Sequence, residues 1–303
     1  MGLGKWDLNS TAMYNTKNEI RSGQSRSEVF KQREVKQEFK PFDITTRESR
    51  DSEMNPLSRA IIIALDGSGS MGMLAEDIAR NSLSRLVVSI HDLEPVKDPH
   101  IMFMSIGDIH YDRAPLQATQ FEADVQLSDQ IDNLYLEGGG GGNTFESYDL
   151  AWIFASNKTS IDCWEKRKEK GYLFTVGDEY PPQQDTKASQ IKDCIGVPYQ
   201  GEVSPDVSLA EAQETYEVFH ITIAEGHFAK RIGWEKVNDK WSQLLGKRAI
   251  VCHDHKYLVE VIVSAMQVNE GADPAAVVEQ WPDGGAKKTV AKAIYGIDNQ
   301  VAA

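Results

Sequence analysis

Residues 61–72 join a short apolar stretch to a polar loop that contains three glycines, in the order I-I-I-A-L-D-G-S-G-S-M-G. Residues 61–65 are all apolar and show no alternation with polar residues. Such a run is typical of a β-strand that is buried on both faces. The chain is therefore expected to build a sheet that is covered on both sides.

Three side chains that carry oxygen follow this strand at every second position. Asp66, Ser68 and Ser70 lie on a glycine turn that is expected to open a helix, so their oxygen atoms can converge on one point. One carboxylate and two hydroxyls are hard ligands of the kind that Mg²⁺ or Mn²⁺ prefers. The loop is thus a candidate metal site.

The same loop also spells G-x-G-x-x-G, through Gly67, Gly69 and Gly72. This pattern after a strand and before a helix is a dinucleotide-binding fingerprint, so nucleotide binding through G-S-G-S-M-G is an alternative. In such folds the phosphates lie on bare backbone N–H groups, and the Asp66 carboxylate would face the pyrophosphate with like charge. We therefore favour the metal, while a Ser- and Gly-rich helix cap is a third interpretation.

Strands and helices alternate from residue 60 onward, which predicts an α/β, doubly wound and mostly parallel sheet. A short strand near residues 120–125 is expected to pair as a hairpin and to form one antiparallel edge strand. In such folds ligands bind beyond the carboxyl ends of the strands, where the strand order reverses. Asp66 and Asp178 each follow a predicted strand and should flank that point.

The D-G-S-G-S motif at residues 66–70 resembles the D-x-S-x-S signature of the von Willebrand factor A family, which forms a metal-ion-dependent adhesion site. The glycines at 138–142, followed by Asn143 and Thr144, resemble the glycine-rich loop of that family, which ends in a ligand threonine. The segment 172–179 resembles its fourth strand and T-D-G loop. Here Val176 takes the place of the usual aspartate, and Asp178 and Glu179 follow the glycine.

This resemblance implies a Rossmann-like von Willebrand factor A fold over about residues 58–268. It also implies a bound Mg²⁺ (or Mn²⁺) held by five residues, with Glu179 as the substitute for the last of them: Asp66, Ser68, Ser70, Thr144 and Asp178. In the family such an ion captures a carboxylate from a partner protein. Intracellular relatives in bacteria and phages work beside AAA+ ATPases or in stress-response complexes, so the resemblance implies that partner class.

The expected function is therefore metal-dependent protein–protein recognition and not catalysis. The alternative is a Mg²⁺-dependent phosphoester hydrolase, because a Mg²⁺ with few charged ligands is a strong Lewis acid. That enzyme would need a general base near the ion, for which Asp178, Glu179 and His110 are the candidates.

The formal net charge of −14 argues against nucleic acid as the main partner, because phosphate contacts need clustered Lys and Arg. No apolar run is long enough to span a membrane, and no secretory signal is visible, so we expect a cytoplasmic protein without a membrane partner. Residues 1–58 are polar and are expected to form an arm or tail. Residues 59–270 form the predicted domain, and residues 271–303 form a C-terminal extension.

Two further polar clusters follow predicted strands. Residues 108–113 (D-I-H-Y-D-R) suit a polar hairpin turn. Alternatively, they could shape a surface for a partner or hold a second cation. Residues 252–255 (C-H-D-H) suggest zinc, but the sequence shows no second pair of ligands for them. A polar entry to the next helix is the favoured interpretation of that second cluster.

Overall fold

A computed structural model describes residues 34–71, 73–78, 82–124, 126–135, 145–295 and 297, together with residues 12, 13, 16 and 32. Among these residues, no helix has the length and apolar character that crossing a bilayer requires.

The described strands are β1 (Arg47–Ser49), β2 (Arg59–Asp66), β3 (Pro99–Ile106), β4 (Leu116–Ala118), β5 (Thr159–Ile161), β6 (Gly171–Gly177), β7 (Thr186–Lys187), β8 (Glu202–Val203), β9 (Tyr216–Ile223) and β10 (Ala249–Cys252). The described helices are α1 (Met73–Asp77), α2 (Leu83–Leu93), α3 (Gln126–Asp132), α4 (Asp149–Lys158), α5 (Asp162–Arg167), α6 (Ala188–Ile195), α7 (Pro205–Thr215), α8 (His227–Ile232), α9 (Trp234–Leu245), α10 (Leu258–Asn269), α11 (Pro274–Glu279) and α12 (Gly285–Ile294).

The main sheet has six strands in the order β10-β9-β6-β2-β3-β4. All neighbouring pairs in it are parallel except β3 and β4, which are antiparallel. The predicted fold class, a doubly wound and mostly parallel sheet with one short antiparallel edge strand, is confirmed.

The edge strand lies earlier in the chain than predicted. It spans Leu116–Ala118, whereas in the predicted region Glu122 makes only an isolated antiparallel bridge to Ile101. The apolar residues around Phe121 are buried without forming a ladder. A strand of three residues carries too little periodic pattern to be located from sequence.

The two faces of β2 are covered by different helix layers. Ile61 and Ile63 belong to a core shared with α2, α10 and α12, and Ile62 and Ala64 belong to a core shared with α4, α7 and α9. Because successive side chains of a strand point to opposite faces, a strand between two helix layers must be apolar at every position. This arrangement explains the continuous apolar run.

Two of the helices show residues suited to a helix start and a helix end. At α7 the Ser204 hydroxyl accepts a hydrogen bond from Val207 N, and Pro205 occupies the first helical position. At α6 the helix ends at Gly196, whose φ of 77° is in the left-handed region. Serine caps, early prolines and terminal glycines of this kind fix helix boundaries.

The strand order reverses between β2 and β6. The chain continues from β2 to β3 and β4 on one side, and later places β6, β9 and β10 on the other. The pairing of Leu65 with Val176 brings the carboxyl ends of β2 and β6 to the same edge. Asp66 and Asp178 follow at those ends, so they flank the reversal point.

Residues before β2 pack against the domain. Strand β1 pairs in parallel with β5, and the side chains of Phe39 and Ile44 are buried. The Arg47 guanidinium donates to the carbonyl oxygens of Glu38 and of Ala118, the last residue of β4.

Helices α11 and α12, in the predicted C-terminal extension, pack into the same core as α10. Val277, Val290 and Ile294 are buried there. The predicted domain limits at residues 58 and 270 remain predictions.

Candidate metal centre

The Asp66 carboxylate is the centre of the candidate site and is fully buried. Its Oδ1 accepts a hydrogen bond from Ser68 N at 2.8 Å, and its Oδ2 accepts one from the Tyr148 hydroxyl at 2.9 Å. One partner is in the next turn of the chain and the other is at the start of α4. These two bonds fix the orientation of the carboxylate.

The two serines connect Asp66 to the loop after β6. The hydroxyls of Ser68 and Ser70 lie 3.0 Å apart, and the Ser70 hydroxyl donates to Asp178 Oδ1 at 2.7 Å. Asp178 is also fully buried, and its Oδ2 accepts a hydrogen bond from Phe228 N at 2.7 Å. Two carboxylates and two hydroxyls are therefore joined in one polar cluster.

Two glycines allow the loops to approach so closely. A Cβ at Gly177 would overlap the Tyr148 hydroxyl, and a Cβ at Gly226 would overlap the Asp178 carboxylate. Glycine is the residue that permits this approach of backbone to a functional group. The packing therefore depends on the missing side chains at these two positions.

Acidic side chains that burial keeps from ionising readily accumulate at the site. Burial, and then the charge of Asp178, raise the pKa of Asp66 to about 7, although bonds from Ser68 and Tyr148 act in the opposite direction. Burial also raises the pKa of Asp178.

Glu179 and Glu146 extend this group of acids. Burial, followed by the charges of Asp66 and Asp178, raises the pKa of Glu179 to about 8. Burial, followed by the charges of Asp66 and Glu179, raises the pKa of Glu146 to about 11. Glu146 and Glu179 are 3% and 7% exposed, and the buried Oε2 of each has no hydrogen-bond partner among the residues that the structure describes.

These donors fit a hard divalent cation. Buried carboxylates that repel one another are stabilised by a positive ion, and an oxygen-only donor set matches Mg²⁺ or Mn²⁺. Among the described residues, Asp66, Ser68, Ser70 and Asp178 are brought together. Thr144 and the glycine run before it lie outside the residues that the structure describes, so its role as a ligand stays a prediction.

Tyr148 and Glu146 were not predicted from the sequence. Tyr148 lies 82 positions after Asp66, and Glu146 lies where an apolar helix begins. No spacing rule connects these positions with the D-G-S-G-S loop. The only available signal was the occurrence of polar residues immediately before a buried helix.

In this geometry the loop has one fewer backbone N–H available to bind the phosphates of a dinucleotide. Ser68 N, one of the backbone groups that would hold a phosphate, already donates to Asp66. This contact favours the metal over a pyrophosphate.

The cluster after β3 forms a turn that its own carboxylates stabilise. Asp108 N donates to Asp112 Oδ2 at 2.8 Å, and His110 N donates to Asp108 Oδ1 at 2.6 Å. His110 is exposed, and its Nδ1 lies 3.2 Å from Gln190 Nε2. These contacts match the polar hairpin turn expected there.

Neither a protein-family model nor a curated protein matches this chain. Similar solved structures include the pilus adhesin SpaC from Lactobacillus rhamnosus GG in its open conformation, with 10% sequence identity and a TM-score of 0.46. The match covers 74% of this chain and 31% of the adhesin, so the chain spans about a third of that protein's length.

Two other similar structures are a von Willebrand factor type A from Catenulispora acidiphila and the conserved hypothetical protein BatB from Bacteroides thetaiotaomicron. The first has 11% identity and a TM-score of 0.34, and covers 69% of this chain and 42% of its own. The second has 16% identity and a TM-score of 0.33, and covers 55% of this chain and 66% of its own. These similarities concern the fold alone. The von Willebrand factor A-like fold expected here rests on the strand order and on the loop that carries Asp66.

Proposed function

We propose that this chain is a metal-dependent protein-recognition module whose bound Mg²⁺ (or Mn²⁺) captures a carboxylate from a partner protein. The observation that carries the proposal is the convergence of Asp66, Ser68, Ser70 and Asp178 where the strand order of the sheet reverses. This edge is where open α/β sheets bind their ligands.

The ion would be held by Asp66, Ser68, Ser70 and Asp178, and by Thr144 on the strength of the family resemblance. It would supply a concentrated positive charge that attracts an anionic oxygen. The remaining contacts position the ligands, because Tyr148 orients Asp66 and Phe228 N orients Asp178. Both Asp178 and Glu179 contact the Ser70 side chain, but only the Asp178 carboxylate also accepts from Phe228 N, which supports Asp178 as the acid from this loop.

The proposed partner supplies an Asp or Glu side chain. The chain is strongly acidic, with a formal net charge of −14, so recognition of an acidic group needs a cation that reverses the local field. The family resemblance leads us to propose that the chain works beside an AAA+ ATPase or in a stress-response complex. From the acidic charge and the sequence pattern we propose a cytoplasmic location, with no nucleic acid and no membrane as partner.

The first experiment measures the metal alone. Calorimetric titration of the full chain with Mg²⁺ and Mn²⁺ is expected to show one oxygen-ligand site that Asp66→Asn abolishes. The matched control is Asp239→Asn, since Asp239 is exposed on α9 away from the cluster. Unchanged affinity in Asp66→Asn would contradict the proposed ligand set.

The second experiment tests carboxylate capture. Electron paramagnetic resonance of the Mn²⁺-loaded protein is recorded with a peptide that contains Glu, and with the same peptide carrying Gln. Only the Glu peptide is expected to change the Mn²⁺ signal, and Thr144→Ala should weaken this effect. Equal effects of the two peptides would refute capture. We propose that the chain is not an enzyme. Metal-dependent hydrolysis of a phosphomonoester would contradict this and favour the hydrolase alternative.

A further inference from the structure

A second cluster of metal-ligating side chains lies at the same edge of the sheet and shares no residue with the site around Asp66. Strands β9 and β10 are paired with Ile223 opposite Cys252. Glu225 and Asp254 each follow two residues later, so the parallel pairing places them side by side. His255 comes next and begins a short 3₁₀ helix.

One oxygen or nitrogen atom from each of Glu225, Asp254 and His255 lies within 4.8 Å of the others. His255 Nδ1 is 2.6 Å from Glu225 Oε2. The His255 side chain is largely buried, whereas Glu225 and Asp254 are partly exposed. A cation could therefore enter from solvent and meet an imidazole whose orientation is already fixed.

The other ring nitrogen of His255 has its own carboxylate. Nε2 lies 3.0 Å from Oδ2 of Asp77, the last residue of α1. Histidines that bind metals usually donate their second N–H to a carboxylate in this way, and the bond fixes the tautomer. With the proton on Nε2, the Nδ1 lone pair points toward Glu225 and Asp254.

Carboxylates lie at both ring nitrogens of His255 at hydrogen-bond distance, and Glu225 Oε2 also accepts from His255 N at 2.8 Å. Ligands that lie about 2.0–2.2 Å from a tetrahedral zinc ion stand farther apart than 2.6 Å, so Glu225 Oε2 would move back from Nδ1 when an ion binds. A dication at this point would offset the charge of the carboxylates around the ring.

We propose that Glu225, Asp254 and His255 form a second cation site, selective for Zn²⁺ over Mg²⁺, with Asp77 as its positioning residue. An imidazole ligand favours Zn²⁺, because Mg²⁺ prefers oxygen ligands and gives up its water reluctantly. Cys252 is not a ligand, since its buried Sγ donates to the Asp254 carbonyl oxygen at 3.1 Å.

At residues 252–255 the sequence suggests zinc without a second ligand pair and favours a polar helix entry, and Asp254 does cap the short 3₁₀ helix by accepting from Lys256 N. The structure adds Glu225 from the turn after β9 and Asp77 from the helix after the Asp66 loop. The site thus connects α1 with the ends of β9 and β10.

The test is a Zn²⁺ titration of the full chain in excess Mg²⁺, repeated in an Asp66→Asn background so that the first site cannot contribute. One Zn²⁺ should bind in both proteins. The His255→Gln variant should bind no Zn²⁺ at concentrations that saturate the unmodified chain. Asp77→Asn should weaken binding by about 10–100-fold, the usual effect of losing a carboxylate behind a metal-ligating histidine. His227→Gln is the matched control, because His227 is an exposed histidine outside the cluster.

A second measurement does not depend on affinity. Co²⁺ is added in place of Zn²⁺ in excess Mg²⁺, and the visible d–d bands of Co²⁺ held in a low-coordinate protein site should appear in the His227→Gln variant and be missing in His255→Gln. Circular dichroism confirms that each variant is folded. If the unmodified chain binds no Zn²⁺, or binds it as His255→Gln does, the proposal is wrong, and the contacts of His255 with Glu225 and Asp77 serve only to hold the loop in place. If instead the proposed site around Asp66 is wrong, the unmodified chain would bind Zn²⁺ through His255 but would show no Mg²⁺ binding.

Discussion

Replacing Asp66 with Asn should stabilise the metal-free protein at alkaline pH. The side chain is fully buried, and Asn can keep its geometry while it removes the charge. Its Oδ1 can still accept from Ser68 N, and its amide can donate to the Tyr148 oxygen. The substitution therefore isolates the cost of burying one carboxylate without its ion.

The magnitude follows from the pKa of Asp66. Burial, and then the charge of Asp178, raise this pKa from 3.8 to about 7 in the folded state. A raised carboxyl pKa means that the ionised form is disfavoured by folding, so the penalty is absent below pH 3.8, grows between 3.8 and 7, and is complete above 7. A rise of this size corresponds to about 4 kcal/mol at pH 8 and to less than about 2 kcal/mol at pH 5.

The assay is urea denaturation in the presence of a chelator at pH 5 and pH 8. The stability difference between Asp66→Asn and the unmodified chain should grow in favour of the variant by about 2–3 kcal/mol between the two pH values. Asp239→Asn should show no such change. Adding Mg²⁺ should stabilise only the unmodified chain, by mass action. The key quantity is the free energy of unfolding of Asp66→Asn minus that of the unmodified chain. If this difference is no more favourable to the variant at pH 8 than at pH 5, the assignment of a buried, uncompensated charge is refuted.

Three more outcomes are expected. Asp178→Asn should lower Mg²⁺ affinity in calorimetry by at least about 10-fold, and Glu179→Gln should not; the reverse order would show that the loop is misaligned. Gly226→Ala should cost about 1–3 kcal/mol in urea denaturation, because its Cβ overlaps Asp178, and a neutral result would contradict this close approach. Burial of Asp162 opposes ionisation, but a hydrogen bond from Lys166 and further bonds lower its pKa to about 2. The contribution of the ionised Asp162 to folding stability is therefore complete above pH 4 and is lost toward pH 2. Asp162 accepts from Arg50 Nη1 and from Asp51 N, directly after β1, each at 2.8 Å. Asp162→Asn should therefore speed amide hydrogen exchange in β1, and unchanged exchange would show that these contacts do not hold the strand.

The central part of the fold could be predicted because its signals are local. The apolar run before Asp66 marks a strand between two helix layers, and the alternation of strands with helices then requires a parallel sheet. The meeting of Asp66 with Asp178 also followed, since both come at strand ends beside the reversal of strand order.

The rest depends on contacts between residues far apart in the chain. Tyr148 reaches Asp66 across 82 positions, and Asp77 reaches His255 across 178. Neither pair leaves a periodic trace in the sequence. The short edge strand was misplaced for a related reason, because its pairing with β3 extends over only three residues.

The contact between Arg47 and Ala118 has a consequence for how the protein avoids associating with itself. Strand β4 is an end of the six-stranded sheet, and its outer backbone groups could pair with a strand from another molecule. The Arg47 guanidinium instead donates to the Ala118 carbonyl oxygen at 3.1 Å, while the buried Phe39 anchors the segment that precedes it. The segment from Phe39 to Arg47 thus covers the outer edge of β4, whose three residues are all buried. A chain shortened to begin at β2 would present an open edge, and strand exchange between copies would be its characteristic route to aggregation.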